Sequence, residues 1–345
     1  MTLKQRTGAL LAALAACFVG AASAQEITLK VHHFLPPPSN PHQNFMVPWC
    51  NKIAKESGGK LKCQLYPAMQ LGGAPPQLYD QAKDGVADIV WTVTGYTAGR
   101  FPIVEAFELP FMMTDSVSTS RALWEYVQLH AKAEFKDVHA LAFHVHGPGV
   151  IHMRDRQVKT LADLKGLKMR GPTRLTTKLL AAVGATPVGM PVPQVPEALN
   201  KGVIDGAVVP WEIVPGLKLQ EIVKFHSETD PKFPALYTSV FIYAMNIAKY
   251  QSLPAEHRKV LDANSGIGLA SFIGKVFMDG DIPGRKSAEA HNNTIYTIPA
   301  SELQHWRKAA EPVQIEWIKE MNRRDLPGLK LVESAQALIA KHSKK

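Results

Sequence analysis

Cysteine is scarce in this chain, three among 345 residues. That excludes a small domain stapled by disulfides and a cysteine-rich metal module. No P-loop, G-x-S-x-G elbow or H-E-x-x-H helix occurs, so the chemistries that depend on them lose their signature. The lone G-x-G, Gly266-Ile267-Gly268, follows no strand and does not read as a dinucleotide turn. Basic residues outnumber acidic ones by nine, yet only the tail Lys341, Lys344 and Lys345 is dense. Without a concentrated basic patch the chain points away from nucleic acid, and its diffuse charge suits small anions. Only one long stretch lacks charge, which excludes a multi-pass membrane protein. What remains is 46% apolar and 20% charged, an ordinary globular composition long enough for about two domains.

The uncharged stretch is at the start. Lys4 and Arg6 precede Gly8–Ser23, and Ala22-Ser23-Ala24 closes it. A basic start, apolar middle and A-x-A end describe a secretory signal peptide over residues 1–24, cleaved after Ala24, with a periplasmic product. An uncleaved anchor and a lipoprotein-type cut at Cys17 compete, but Ala and Gly dominate the run and it continues past Cys17. The exported chain keeps Cys50 and Cys63. Met46, Cys50 and Ile53 share one face of a helix, and Cys63 alternates inward on a strand. In an oxidising compartment a disulfide and two buried free thiols both fit this pattern.

Strands are expected at 27–33, 60–66 and 88–93, with helices at 42–56 and 76–84 between them. Alternating strand and helix is the pattern of a parallel sheet with crossovers. It recurs with strands at 141–146, 167–170, 186–190 and 204–209 and helices at 173–183 and 194–201. Val240–Asn246 is apolar and suits a return to the first sheet. From Pro254 the apolar residues fall at helical spacing, as in Trp306, Val313, Trp317 and Met321.

Among candidate functional groups, His144 and His146 share a strand face, but no carboxylate or cysteine cluster supports a metal there. No metal and no cofactor is implied. Arg170 ends a short strand in LADLKGLKMRGP. Ligands of open α/β sheets sit beyond strand carboxyl ends, and a guanidinium fork matches a carboxylate. A surface ion pair is the plainer reading of Arg170 taken alone.

Six segments in order resemble the substrate-binding proteins of TRAP (tripartite ATP-independent periplasmic) transporters: GGKLKCQLYPAMQLGG, AKDGVADIVW, FELPF, LADLKGLKMRGP, GATPVGMPVPQVPEALNKGVIDGAVVP and AMNIAKYQSLP. The resemblance covers most of the chain from residue 27 to about 265. The resemblance implies an α/β, two-lobed periplasmic binding protein fold with a hinge and a long helix spanning both lobes. Lobe one would be 25–147 plus 236–275, and lobe two 148–235 plus 276–345. It implies a monomer that captures a small organic carboxylate on Arg170 and hands it to membrane-embedded permease subunits, with no catalysis.

Two departures bear on the ligand. The family often carries an Asn shortly after the Asp-Gly of its IDG segment, where this chain has Ala207-Val208-Val209-Pro210-Trp211. A polar residue common near 150–152 is replaced by Val150, Ile151 and His152, so His152 is the expected substitute contact. Strand ends facing the cleft add Phe34, Trp91, Thr94, Tyr96, Trp211 and Tyr237. This set is aromatic and poor in amides, which suits an aromatic or 2-oxo/2-hydroxy monocarboxylate better than a sugar acid. The competing readings are a uronate or aldonate binder, a ligand-sensing partner of a membrane receptor, and an exported enzyme using His152, Glu212 or Asp205.

Overall fold

The computed structural model describes residues 26–344, so the expected signal peptide and its expected cleavage point lie outside the described residues. Two sheets organise the rest. The first contains β1 (Ile27–His33), β2 (Leu61–Tyr66), β3 (Ile89–Val93), β4 (His139–Val145) and, from much later, β10 (Val240–Met245). Its order is β2-β1-β3-β10-β4. β1 runs parallel to β2 and β3, whereas β10 is antiparallel to both its neighbours. The sequences explain the order. β3 (IVWTV) and β10 (VFIYAM) are buried at every position, as central strands covered on both faces must be. β2 (LKCQLY) exposes Lys62 and Gln64 and takes the edge.

The second sheet contains β5 (Gly149–Met153), β6 (Lys168–Gly171), β7 (Thr186–Gly189), β8 (Gly206–Pro210), β9 (Phe225–Thr229) and β11 (Thr294–Ile298). Its order is β11-β9-β5-β8-β6-β7. β5, β9 and β11 were not expected. β5 carries no alternation because all five positions are buried, and β9 and β11 are short and polar.

Helices α1 (Val47–Glu56), α2 (Leu78–Lys83), α3 (Ser116–Tyr126), α4 (Arg174–Ala182) and α5 (Val195–Asn200) precede three long ones: α6 (Gly266–Ala290), α7 (Ala300–Arg323) and α8 (Gly328–Ser343). α3 is rich in Ser and was not among the expected helices. Its start is fixed by Asp115, whose carboxylate accepts from the Ser118 N–H at 2.8 Å. Cys50 of α1 and Cys63 of β2 form a disulfide with Cα atoms 5.7 Å apart, which decides between the two alternatives left by the spacing.

The chain passes between the sheets three times: after β4, between β9 and β10, and along α6. Near its start α6 meets the backbone of Ser116 and Val117 at Gly274, and further on it meets the backbone of Trp211 at Gly284. A Cβ at either position would collide with that backbone, so both close approaches require glycine. One rigid helix thus spans both halves. The C-terminus departs from the expected division. α7 packs on α4 of the second half, but α8 returns to pack on α3, where Lys341 and His342 both reach Glu125.

Candidate functional site

β6 is four residues long, and alternation sends Met169 into the second core and Arg170 to the opposite face. Gly171-Pro172 then ends the strand. Arg170 opens onto a cavity between the two sheets. Arg170 is 2% exposed. Its Nε donates to Met190 O at 2.9 Å and its Nη1 to Val208 O at 3.0 Å. Nη2 has no partner in the protein. No carboxylate pairs with it, so a buried cation faces the cavity with a donor to spare. Burial pulls its pKa down, and the Tyr96 and Tyr237 phenols partly oppose that.

Phenols and a neutral histidine surround this cation. The Tyr96 hydroxyl accepts from the Val192 N–H at 3.1 Å, which leaves its own hydrogen available to the cavity. Tyr237 is buried beside it, and desolvation keeps both phenols protonated. His146 donates from Nδ1 to Gly147 O at 2.5 Å, so Nε2 is its acceptor. Burial holds its pKa at about 4, and it is uncharged at neutral pH.

The walls are flat and apolar. Phe34 stacks on Trp91 with centroids 4.9 Å apart, Trp91 stacks on Phe241 at 4.9 Å, and Phe241 stacks on His144 at 4.8 Å. The Trp91 indole donates to His144 Nε2 at 2.8 Å, which fixes the middle of the stack. Trp91 is therefore both a core residue and a cavity wall. Val192, Val209 and Pro210 complete the apolar lining.

Phe34, Trp91, Tyr96, Arg170 and Tyr237 were expected at the cleft, and all five line the cavity. Thr94, His152 and Trp211 do not. The Thr94 hydroxyl donates to Val240 O at 3.2 Å and ties β3 to β10. Trp211 donates its indole N–H to Glu228 at 3.0 Å and faces a separate hollow with Asp281 and Arg285. Its strand ends at Pro210, and the following turn, Trp211–Ile213, carries Trp211 away while Glu212 lines the cavity.

His152 sits in a buried relay. Its Nε2 donates to Val209 O at 3.2 Å, so its Nδ1 accepts from His226 Nδ1 at 2.7 Å, and His226 Nε2 accepts from Asn293 at 3.1 Å. Every ring nitrogen is used, and none is left for a ligand. The relay steadies Val209, which does line the cavity. Sequence reasoning missed Ser239 and Phe241, and it considered His146 only for a metal and Glu212 only for an enzyme. The usable signal was β10, where Phe241 and Tyr243 share one face and Phe241, opposite Val93 at the end of β3, is the one at the cleft. Among the described residues no cluster of metal-ligating side chains occurs.

One ion-pair group joins the halves beside the cavity. Arg174, at the start of α4, donates to Glu105 of the first half at 2.6 Å and to Glu320 of α7 at 2.7 Å.

Two sheets, a helix shared by both and a cavity between them with one unpartnered buried cation define a two-lobed solute-binding protein. The chain belongs to family 7 of the bacterial extracellular solute-binding proteins (DctP), which it matches over residues 31–320. It is a TRAP-type solute-binding protein, of the kind that takes up small carboxylates in the periplasm and works with membrane permease subunits. A TRAP solute-binding protein from Rhodoferax ferrireducens, solved with copurified benzoate, is 57% identical with TM-score 0.91, over 92% of this chain and 99% of that one. A marine metagenome protein specific for aromatic acid ligands, solved with 3-hydroxybenzoate, is 50% identical with TM-score 0.91, over 93% and 100%. A Bordetella bronchiseptica protein with bound mandelate is 26% identical with TM-score 0.83, over 91% and 99%.

Proposed function

We propose that this chain captures a small aromatic monocarboxylate of the benzoate type in the periplasm and delivers it to a TRAP permease. The observation that carries this reading is the unpartnered Nη2 of buried Arg170 at the end of a cavity walled by stacked rings. A carboxylate there takes a charge-assisted bond from Nη2 and a second from the Tyr96 hydroxyl. Its ring lies along the Phe34, Trp91 and Phe241 layer. The aromatic acids bound by the 57% and 50% identical structures support the same ligand class. A sugar acid suits the cavity less, because the walls carry few groups that satisfy several hydroxyls.

The exported protein begins at Gln25 and acts as a monomer. The lobes are 25–147 with 236–275, and 148–235 with 276–327, with the last helix returning to the first lobe. Ligand enters between open lobes, and contacts from both favour closure. Closure removes water and strengthens the bonds to Arg170. The Arg174–Glu105 pair then forms across the lobes and holds the closed form that the permease receives.

The test is a calorimetric titration of residues 25–345 with benzoate, mandelate and galacturonate. Benzoate or mandelate binding with no uronate binding is expected. Tight uronate binding without aromatic-acid binding would overturn the reading.

A further inference from the structure

A second unpartnered polar group lines the same cavity. Glu212 is 5% exposed and its Oε2 meets no hydrogen-bond partner. The long helix holds it in place. Its backbone N–H donates to Asp281 Oδ1 at 2.9 Å, and Gly284 lies directly beneath it. Arg170, the cavity's cation, does not pair with it. Tyr237, in the same lining, feels both the Arg170 charge and the Glu212 carboxyl. A buried carboxylate without a counterion is unfavourable. Desolvation, reinforced by Asp281 and partly opposed by a hydrogen bond from the Asn40 side chain, pushes the Glu212 pKa well above the carboxylate range. The group is a neutral acid with one hydrogen to donate and a lone pair to accept.

We infer that Glu212 is the specificity-determining residue of this cavity, hydrogen-bonding a ring hydroxyl on an aromatic acid whose carboxylate Arg170 holds. The inference rests on the aromatic-acid reading above. A hydroxyl suits Glu212 because it both donates and accepts. A second carboxylate does not, because it would be buried there with no cation beside it, so benzene dicarboxylates are rejected. Ser239, whose Oγ is also unpartnered in the lining, is the competing candidate, and the test separates the two.

The experiment titrates the wild type, Glu212→Leu, Glu212→Gln and Ser239→Ala with benzoate, the three hydroxybenzoates and the three methylbenzoates. The quantity read is the ratio of hydroxy to methyl affinity at each ring position, which a general loss of packing does not move. In the wild type one position gives a ratio of about ten or more, the worth of one well-made bond to a buried group. The ratio collapses in Glu212→Leu and is restored in Glu212→Gln. A ratio near one at every position, a ratio that survives Glu212→Leu, or one lost in Ser239→Ala instead would each overturn the assignment. The wild-type comparison needs no variant, so a misfolded Leu protein leaves the test standing. Benzoate that binds without any hydroxyl preference sinks this inference alone. Failure of every aromatic acid sinks the reading beneath it as well.

Discussion

Replacing Arg170 by Met should separate binding from folding. In the ligand-free protein two opposed effects are at work. The substitution removes the hydrogen bonds to Met190 O and Val208 O, which costs about 1 kcal/mol each. It also removes a desolvated cation with no counterion, and replacing buried charge with an apolar isostere commonly returns about 1–4 kcal/mol. The two nearly cancel, so the melting midpoint of ligand-free protein should move by only a few degrees. Binding has no such compensation. The ligand carboxylate would enter a dry cavity with no cation, a loss of about 2–5 kcal/mol, or roughly 30-fold to several thousandfold in Kd. The assay pairs a thermal melt without ligand and a calorimetric titration with benzoate. Benzoate affinity within about threefold of wild type, or a ligand-free midpoint that collapses, would refute the reasoning and make Arg170 a structural residue.

Three further outcomes follow from the described contacts. Cys63→Ser should lower stability by about 3 kcal/mol, since the bond closes a short loop of sequence separation 13; a melt unchanged by substitution and by reductant would show that the bond does not form. Burial holds the His226 pKa at about 4 in the folded chain against 6.5 unfolded, so its contribution is full above 6.5 and is lost as pH falls toward 4. His226→Gln should therefore flatten the acid limb of a melting-midpoint profile, and parallel profiles would count against the relay. Arg174→Ala should speed benzoate release severalfold in stopped flow with a smaller effect on association, because it removes the pair to Glu105 across the lobes; an unchanged release rate would place no latch there.

The first sheet was legible because its strands alternate with helices and its central strands are continuous apolar runs. The second was half legible. β6, β7 and β8 carry strand-and-turn punctuation, whereas β5 lacks a period because both its faces are covered, and β11 has the edge strand's freedom to be polar. α3 was hidden because its Ser-rich sequence forms a helix only with the Asp115 cap and α6 packed above it. At the site, Arg170 was readable from its strand end and from the family resemblance. Two of the errors, Thr94 and Trp211, came from positions just past strand ends, and the third, His152, lies within β5. After β8 a tight turn carries Trp211 outward, and the residue beside it, Glu212, lines the cavity. A slip of one residue exchanges the faces of an extended chain, and only the folded turn decides it.

The ring stack also has an optical consequence. Trp91 is the one tryptophan of this cavity's lining, clamped between Phe34 and Phe241 with its N–H on His144. Trp49, Trp306 and Trp317 are buried elsewhere, in the helical layers. An indole held so firmly in a chiral ring stack has a near-ultraviolet circular dichroism signature sensitive to any aromatic guest laid against the same layer. The protein therefore carries its own label-free reporter of occupancy.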